Sequence, residues 1–225
     1  MKFSHQVRHF IRLNTLIKHG DKIVVGISGG VDSVVLAHFL LHEQHELGIQ
    51  IILAHYNHNL RKSALKDQEF VQKLAEKWNV PLEVGEWKHK DKMPTGSVEE
   101  KARQKRLAFF QKIVHKRKAS AVALAHTKDD LAETTLMRIV RGTGLSGLRA
   151  ILPARTLEGI RYIRPLLGVS KDQIQKYAKS QKLAYREDPT NRQKIYFRNK
   201  VRLELLPFLK KYNTNINETL TNLAN

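Results

Sequence analysis

Residues 22–33 read KIVVGISGGVDS, and this stretch decides the fold because it joins a strand signal, a glycine turn and a helix signal. Residues 22–28 are mostly apolar and β-branched, and the segment that follows, VDSVVLAHFLLHEQ, repeats its apolar residues at helical spacing. Gly29 and Gly30 let backbone N–H groups approach an anion closely, and the start of the helix adds positive potential. The sequence therefore predicts a phosphate-binding loop between a strand and a helix.

The loop differs from the two commonest phosphate-binding fingerprints. A Walker A loop ends in Lys followed by Ser or Thr, and the dinucleotide fingerprint spaces its glycines as G-x-G-x-x-G; SGGVDS has neither feature. Asp32 is an unusual neighbour for an anion unless it holds a magnesium ion that bridges phosphate oxygens. An ordinary glycine-rich turn with an aspartate near the helix start is the alternative interpretation.

Strand and helix signals alternate along the chain after this loop. Strand-like segments recur at 49–57, 81–87 and 120–126, and helical spacing separates them. This alternation predicts an α/β fold, a doubly wound, mainly parallel sheet with helices on both faces. A short strand is possible at 160–163, Ser170 with Gln173 predicts a helix start, and a basic helix is expected over about 195–210. We expect an N-terminal helix in 1–21, a main domain that carries the phosphate-binding loop in 22–168 and a basic helical extension in 169–225.

The composition indicates a polyanionic partner and excludes thiol chemistry. The 225 residues carry 40 Lys and Arg against 21 Asp and Glu, a net charge of +19, and nucleic acid is the first candidate for such a partner. The absence of cysteine excludes disulfides, thiolate zinc sites and cysteine-ligated iron–sulfur clusters. No run of about 18 apolar residues is present and the N-terminus lacks a secretory pattern, so we expect a cytoplasmic protein without a membrane partner.

A second group of chemically active residues follows the strand signal at 120–126, in AHTKDDLAET (125–134). Asp130 and Glu133 are i,i+3 neighbours on one helical face and form an acidic pocket suited to a cationic ligand. His126 precedes the helix, where it could reach a phosphate. Helix capping by Asp129 or Asp130 is the alternative interpretation.

Two further groups have open interpretations. His55 and His58 in HYNHNLR (55–61) are either metal ligands or ordinary loop residues. Arg198 and Arg202 are four residues apart on the predicted basic helix and therefore share a face. That face meets an RNA backbone or a triphosphate, or it is a solvated helix surface.

Together, SGGVDS, HYNHNLR, AHTKDDLAETTLMRIVRGTGLSGL, IRPLL and EDPTN…YFRNKVR resemble the catalytic domain of the tRNA(Ile)-lysidine synthetases. These enzymes belong to the PP-loop ATP pyrophosphatase superfamily, whose fold is of the adenine nucleotide alpha hydrolase type. The resemblance runs from about Lys22 to Leu209. SGGVDS alone indicates only the superfamily, whereas DDLAET, RGTGLSGL and FRNKVR in this order indicate the family.

The resemblance implies a two-step reaction on the wobble cytidine of an isoleucine tRNA with a CAU anticodon. The cytosine C2 oxygen attacks the α-phosphate of ATP and pyrophosphate leaves; the ε-amine of free L-lysine then attacks C2 and AMP leaves. ATP is a substrate and magnesium assists. Adenylation converts a poor leaving group into a good one, and the charge on the phosphates needs a cation and backbone donors.

The resemblance also assigns roles to residues. The ATP-binding set comprises Ser28, Gly29, Gly30, Val31, Asp32, Ser33 and His55, with Asp32 as the magnesium ligand. Asp130 and Glu133 bind lysine, and the catalytic set comprises Asp32, His126, Asp130 and Glu133. The basic charge of the chain, rather than the resemblance, assigns tRNA binding to Arg61, Arg141, Arg198 and Arg202. The sequence departs from the family pattern at Asn59, Ala125 and Leu131, where Gly, Gly and Gln are frequent, and we expect no further C-terminal tRNA-binding domain in this chain.

Three other functions compete with this one. A small-molecule, amidotransferase-coupled synthetase is disfavoured by the net charge of +19. A PP-loop tRNA thiolase shares the phosphate loop, but sulfur transfer usually needs a thiolate or a cluster, which a chain without cysteine does not supply. A catalytically silent RNA-binding module would also explain the basic charge.

Overall fold

The computed structural model describes residues 2–59, 64–87, 98–187 and 197–224. The strands are β1 (Lys22–Gly26), β2 (Gln50–Asn57), β3 (Leu82–Glu86), β4 (Ala121–Ala123), β5 (Ala154–Leu157) and β6 (Ile160–Ile163). The helices are α1 (Phe3–Leu13), α2 (Val31–His42), α3 (Gln44–Leu47), α4 (Ala64–Trp78), α5 (Val98–Arg117), α6 (Lys128–Arg141), α7 (Leu145–Leu148), α8 (Lys171–Ser180), α9 (Phe197–Lys200), α10 (Leu206–Lys210) and α11 (Ile216–Ala224). A π-helical turn, Val201–Leu205, joins α9 to α10.

The six strands form one sheet in the order β3-β2-β1-β4-β6-β5. All neighbouring strands are parallel except β5, which pairs antiparallel with β6. The expected doubly wound, mainly parallel sheet is therefore confirmed, and so is the short strand at 160–163. The strand order runs outward in both directions from β1 and β4, and a crevice forms at the carboxyl ends of such a central pair.

Helices cover both faces of the sheet, as the sequence predicts. On β1, Ile23 and Val25 pack with α1, α2 and α8 in one core, whereas Val24 packs against α5 in a second core on the other face. This alternation follows from the two-residue period of a strand. Complete burial of one such aliphatic side chain contributes about 1.5–3 kcal/mol.

The C-terminal helices pack on α6 rather than on the sheet. Ala132 and Leu136 of α6 contact Val201, Leu206 and Leu220 in a separate apolar cluster. The basic helix expected over 195–210 is present from Phe197 to Lys210, the part that the structure describes. No helix among the described residues combines the length and the apolar character that crossing a bilayer requires.

The start of α8 and the antiparallel strand β5 differ in how far the sequence predicted them. Ser170 and Gln173 form the predicted capping box, since the serine hydroxyl accepts from the Gln173 N–H and the glutamine side chain accepts from the Ser170 N–H. The sequence ARTL at residues 154–157 predicts no strand, because it shows no alternation of apolar and polar residues. Pairing with β6 makes this segment a strand.

Candidate active site

The loop between β1 and α2 is held in shape by its two serines. Ser33 Oγ donates to the Gly30 carbonyl at 2.9 Å and accepts the Ser28 N–H at 3.1 Å. Gly29 has φ +90°, a conformation that side-chain-bearing residues rarely adopt. The first N–H groups of α2 have no acceptor within the helix, so the loop ends in backbone donors that suit an anion.

A cavity of about 660 Å³ lies at the carboxyl ends of β1 and β4. This volume is typical of small-molecule sites, which measure about 300–1,000 Å³. Ser28, Gly30, Val31, Asp32 and Ser33 line one side, and Ala125 and His126 line another. Apolar walls come from Ala54, Phe110 and Leu124. The arrangement suits a ligand with an apolar ring system and an anionic tail.

Three buried polar atoms in the cavity wall have no hydrogen-bond partner within the described part of the chain. They are Asp32 Oδ1, His58 Nδ1 and His126 Nδ1. Burial raises the pKa of Asp32 to about 6 and lowers the pKa values of His58 and His126 to about 4. Buried polar groups are nearly always paired in folded proteins. Three unpaired groups around one cavity therefore mark it as a ligand site, with neutral imidazoles at pH 7.

His55 lies behind the loop rather than in the cavity wall. Its ring is 4% exposed, and Nδ1 donates to the Ile27 carbonyl at 2.9 Å. Burial lowers the pKa of this imidazole, so it supports the loop in its neutral form. No group of three His, Asp or Glu side chains that could hold a metal ion occurs among the described residues. A direct contact between His55 and ATP stays a prediction.

Asp130 serves both as a helix cap and as part of an acidic pair. Its Oδ2 accepts the Thr127 N–H at 2.9 Å, and the Thr127 hydroxyl accepts the Asp130 N–H at 3.2 Å, which completes a capping box. The capping interpretation is therefore correct for one carboxylate oxygen. The other oxygen, Oδ1, faces a group of cations beside Glu133, whose side chain is only 2% exposed.

Three cations surround the two carboxylates. Arg202 binds Glu133 through two hydrogen bonds, from Nε at 2.6 Å and from Nη2 at 2.8 Å, and Arg198 Nε binds the same carboxylate at 3.1 Å. Lys171 Nζ lies 3.5 Å from Asp130 Oδ1 and 3.8 Å from Glu133 Oε1. Burial would raise the pKa of Asp130, but Lys171 and Arg198 outweigh it and hold that pKa below its ordinary value.

The arginines predicted to contact RNA lie in different surroundings. Arg198 and Arg202 share one face, as their spacing predicts, and that face is turned onto Glu133. A simple solvated helix surface therefore does not describe them. Arg141, at the end of α6, places its guanidinium 5.0 Å from the centre of the Phe197 ring, and Arg61 lies outside the described residues.

Three cations near the site were missed from the sequence. Arg106 of α5 lines the cavity, and Arg164, which follows β6, acts with it electrostatically on His126. Lys171 is the first residue of α8. A basic residue in the first turn of a helix interacts unfavourably with the helix dipole. This unusual position of Lys171 was the one local feature of the sequence that could have indicated its role.

The fold and the site define an α/β nucleotide-binding protein whose phosphate loop is neither of the Walker type nor of the dinucleotide type. The chain belongs to the PP-loop domain family, which it matches over residues 1–209.

Individual relatives of the chain carry more specific names than the family does. The chain is 39% identical over 227 residues to the tRNA(Ile)-lysidine synthase of Clostridium acetobutylicum, covering 98% of this chain and 47% of that protein. It is 35% identical over 215 residues to the tRNA(Ile)-lysidine synthase of Thermotoga maritima, covering 93% and 50%. The bifunctional protein TilS/HprT of Listeria monocytogenes is 40% identical over 210 residues, covering 92% and 32%. The chain thus spans about half the length of the curated synthases it matches.

A solved structure shares the fold at lower identity. The U34-tRNA thiolase NcsA from Methanococcus maripaludis, with its [4Fe-4S] cluster, superposes with a TM-score of 0.80. The two sequences are 19% identical, and the match covers 97% of this chain and 76% of that one. At this identity the likeness supports the fold alone.

Proposed function

We propose that the chain ligates free L-lysine to C2 of the wobble cytidine in a CAU-anticodon isoleucine tRNA, at the expense of ATP. The observation that carries this proposal is that a nucleotide-sized cavity lies next to a buried acidic pair. Asp32 at the cavity interacts electrostatically with Lys171, Asp130 and Arg202 of that neighbouring cluster. The names of the relatives at 35–39% identity support the same reaction.

In the first step the cytosine O2 attacks the α-phosphorus of ATP, and the bond to pyrophosphate breaks. The loop of residues 28–33 would hold the phosphates through backbone N–H groups. His126 is neutral because burial lowers its pKa to about 4, so it would donate one hydrogen bond to the α-phosphate without adding charge. Such donors stabilise the charge that develops as pyrophosphate leaves.

The residues fit a magnesium ion at Asp32. Magnesium in nucleotide sites is usually held by one or two carboxylates together with substrate phosphates. Asp32 offers a buried carboxylate oxygen beside the phosphate loop, without a hydrogen-bond partner among the described residues. When bound, the ion would neutralise charge on the phosphate oxygens.

In the second step the ε-amine of lysine attacks C2 of the adenylated cytosine, and AMP leaves. Asp130 and Glu133 would bind lysine through its positive charge, and one of these carboxylates would accept the proton that the ε-ammonium must lose before its nitrogen attacks. The low pKa of Asp130 keeps this carboxylate ionised, which favours pairing with a cation. Glu133, which is nearly buried, would add a charge-assisted bond that solvent screens only weakly.

The RNA partner is supported by the net charge of +19 and by arginines at and near the cavity. We assign RNA backbone contacts to Arg61, Arg141, Arg198 and Arg202. The helical segment after residue 168 would act as the basic extension beside the catalytic domain. Such a tRNA substrate implies activity in the cytoplasm.

A tRNA thiolase is the second candidate, because the structural neighbour NcsA is named as one. The 225 residues contain no cysteine, so they offer no thiolate to a cluster or to a persulfide. Lysine transfer needs neither.

The decisive experiment incubates the protein with ATP, magnesium, labelled lysine and an isoleucine tRNA transcript with a CAU anticodon. We expect pyrophosphate release and one lysine incorporated per tRNA, and neither with a matched transcript that has uridine at the wobble position. Pyrophosphate release without lysine incorporation would point to another modification, and binding of tRNA without either product would point to a silent RNA-binding module.

A further inference from the structure

Lys171 holds its ammonium group close to the acidic pair without a hydrogen bond to it. Its backbone N–H donates to Asp129 Oδ2 at 2.7 Å, which ties the start of α8 to the start of α6. Its Nζ lies 3.5 Å from Asp130 and 3.8 Å from Glu133, beyond the usual hydrogen-bond range of about 2.7–3.2 Å. The attraction is therefore electrostatic, and the ammonium is not locked in place by directed bonds.

Three cations already lie around the acidic pair. Arg198, Arg202 and Lys171 bring three positive charges to the two negative charges of Asp130 and Glu133. The arginines are held by directed bonds to Glu133, two of them from Arg202. Asp129 and Asp32 add negative charge nearby, so the obstacle to a substrate ammonium is that Lys171 already lies beside both carboxylates of the pair. Lys171 is the one cation of the three without a hydrogen bond to the pair.

Lys171 also acts on the nucleotide site through its charge. It is the leading cation acting on Asp32, at the start of α2 and in the cavity wall. A lysine side chain is a flexible four-carbon stem with a mobile charge, and 28% of this one is exposed. A triphosphate at the loop of residues 28–33 would add several negative charges on that side, and its field would draw the ammonium away from the acidic pair.

We propose that Lys171 occupies the place of the substrate ammonium in the nucleotide-free protein and swings to the phosphates when ATP binds, so that the acidic pair accepts lysine only after the nucleotide site is filled. The identity of the cationic substrate rests on the proposed function. The withdrawal of Lys171 leaves two arginines beside the two carboxylates and vacates the place of one ammonium group. The device orders the two steps of the reaction, since the amine is admitted after the group that activates the base.

The test compares lysine binding with and without a non-hydrolysable ATP analogue bridged by a methylene group between the α- and β-phosphates. By calorimetry, wild-type protein is expected to bind L-lysine about tenfold more tightly with the analogue, within the usual range of coupling between two sites. Lys171→Gln is expected to bind lysine without nucleotide as tightly as the wild type does with it, and to bind the analogue more weakly.

Two variants serve as controls. Lys176→Gln removes an exposed lysine on the same helix, where it pairs with Asp172 at 2.7 Å, and is expected to behave as the wild type. Lys171→Arg keeps a cation and is expected to keep the nucleotide dependence. Melting curves of all variants establish that they are folded.

The proposal is overturned if wild-type protein binds lysine equally well with and without the analogue, or if folded Lys171→Gln retains the dependence. Should Lys171→Gln not fold, loss of the dependence in folded Lys171→Arg would overturn it as well. If the protein still binds lysine in any of these cases, the proposed function stands and only this inference fails. Absence of lysine binding in every state contradicts the proposed function and this inference together.

Discussion

Asp32 lies at the start of α2 with its Oδ1 buried and, within the described chain, without a hydrogen-bond partner. A charge in such a position destabilises the folded protein unless a ligand compensates it. Burial raises the pKa of Asp32 to about 6, above its ordinary value of 3.8. The folded protein therefore holds this proton more tightly than the unfolded chain, and ionisation of Asp32 lowers stability as pH rises through this interval.

Asp32→Asn should consequently separate stability from activity. We expect its free energy of unfolding at pH 7.5 to exceed the wild-type value by about 1–3 kcal/mol, with the difference shrinking toward zero near pH 4, where Asp32 is protonated in the folded wild type. Pyrophosphate release should be lost. Urea titrations at both pH values measure the first effect, and Asp172→Asn at an exposed site is the control. A folded variant with normal pyrophosphate release would contradict the assignment of Asp32 to the nucleotide site.

Glu133 has a structural and a chemical role, which one substitution tests together. Glu133→Gln should weaken the binding of lysine by about 1.5–3 kcal/mol, because charge-assisted bonds to the substrate are lost. The variant then needs a higher lysine concentration, and adenylated tRNA should accumulate. The variant should also be less stable by about 1–3 kcal/mol, since Arg198 and Arg202 lose their partner while remaining partly exposed.

Lysine-dependence curves and chemical denaturation measure the two effects of Glu133→Gln. Arg202→Gln is the matched control, because it breaks the same ion pair and leaves the carboxylate in place. An unchanged lysine dependence in a destabilised Glu133→Gln would assign the residue to packing alone.

At the scale of elements, the phosphate loop combines one conformational requirement with one spatial requirement. Gly29 needs a positive φ of +90°, whereas a Cβ at Gly30 would meet only Ser28 Oγ, at 3.5 Å. The two neighbouring glycines therefore differ in what an added methyl group disturbs. The first affects the backbone itself, and the second affects only the room that a phosphate needs.

This difference predicts opposite outcomes for two alanine substitutions. Gly29→Ala should lose about 1–2 kcal/mol of stability, because positive φ is unfavourable for residues with a Cβ. Gly30→Ala should keep its stability and still bind ATP more weakly, because the methyl group obstructs close approach to the backbone. Thermal unfolding and ATP titration give both values. Equal stabilities for the two variants would argue against the loop conformation, and normal ATP binding by Gly30→Ala would argue against phosphate contact there.

At the scale of the whole molecule, the charge of +19 should govern the association with RNA. Each cation that neutralises a phosphate releases counterions, so the logarithm of affinity falls with the logarithm of salt concentration. Arg141, on α6, is exposed, and Arg198, on α9, is partly exposed.

Arg141→Ala and Arg198→Ala should each reduce the salt slope of tRNA binding by roughly 0.7–0.9. Arg8→Ala, at an exposed ion pair of α1 with Glu43, is expected to leave the slope unchanged. Filter binding at several salt concentrations, beside ATP titrations, provides the comparison. A reduced ATP affinity with an unchanged tRNA slope would move Arg198 from the RNA surface to the nucleotide pocket.

Much of the fold and part of the site follow from patterns that are local in the sequence. The order of strands and helices, the glycine loop at 28–33 and the i,i+3 pair Asp130 and Glu133 all depend on spacings within one or two elements, which the period of each element fixes. The short strand β5 escaped this reasoning because its pairing with β6, and not its own pattern, makes it a strand.

The surroundings of the functional side chains were decided only by the tertiary structure. Arg198 and Arg202 are separated from Glu133 by 65 and 69 residues. Lys171 follows Glu133 by 38 residues, with α7, β5 and β6 between them. No local period therefore relates these three cations to Glu133. Packing of the C-terminal helices on α6 brings the arginines to the carboxylate, and the Asp129 contact with α8 brings the lysine. Likewise, the parallel pairing of β1 with β2 places His55 behind the loop. The sequence determined which chemical groups are available, and long-range packing determined which of them meet, because electrostatic contact depends on distance in space.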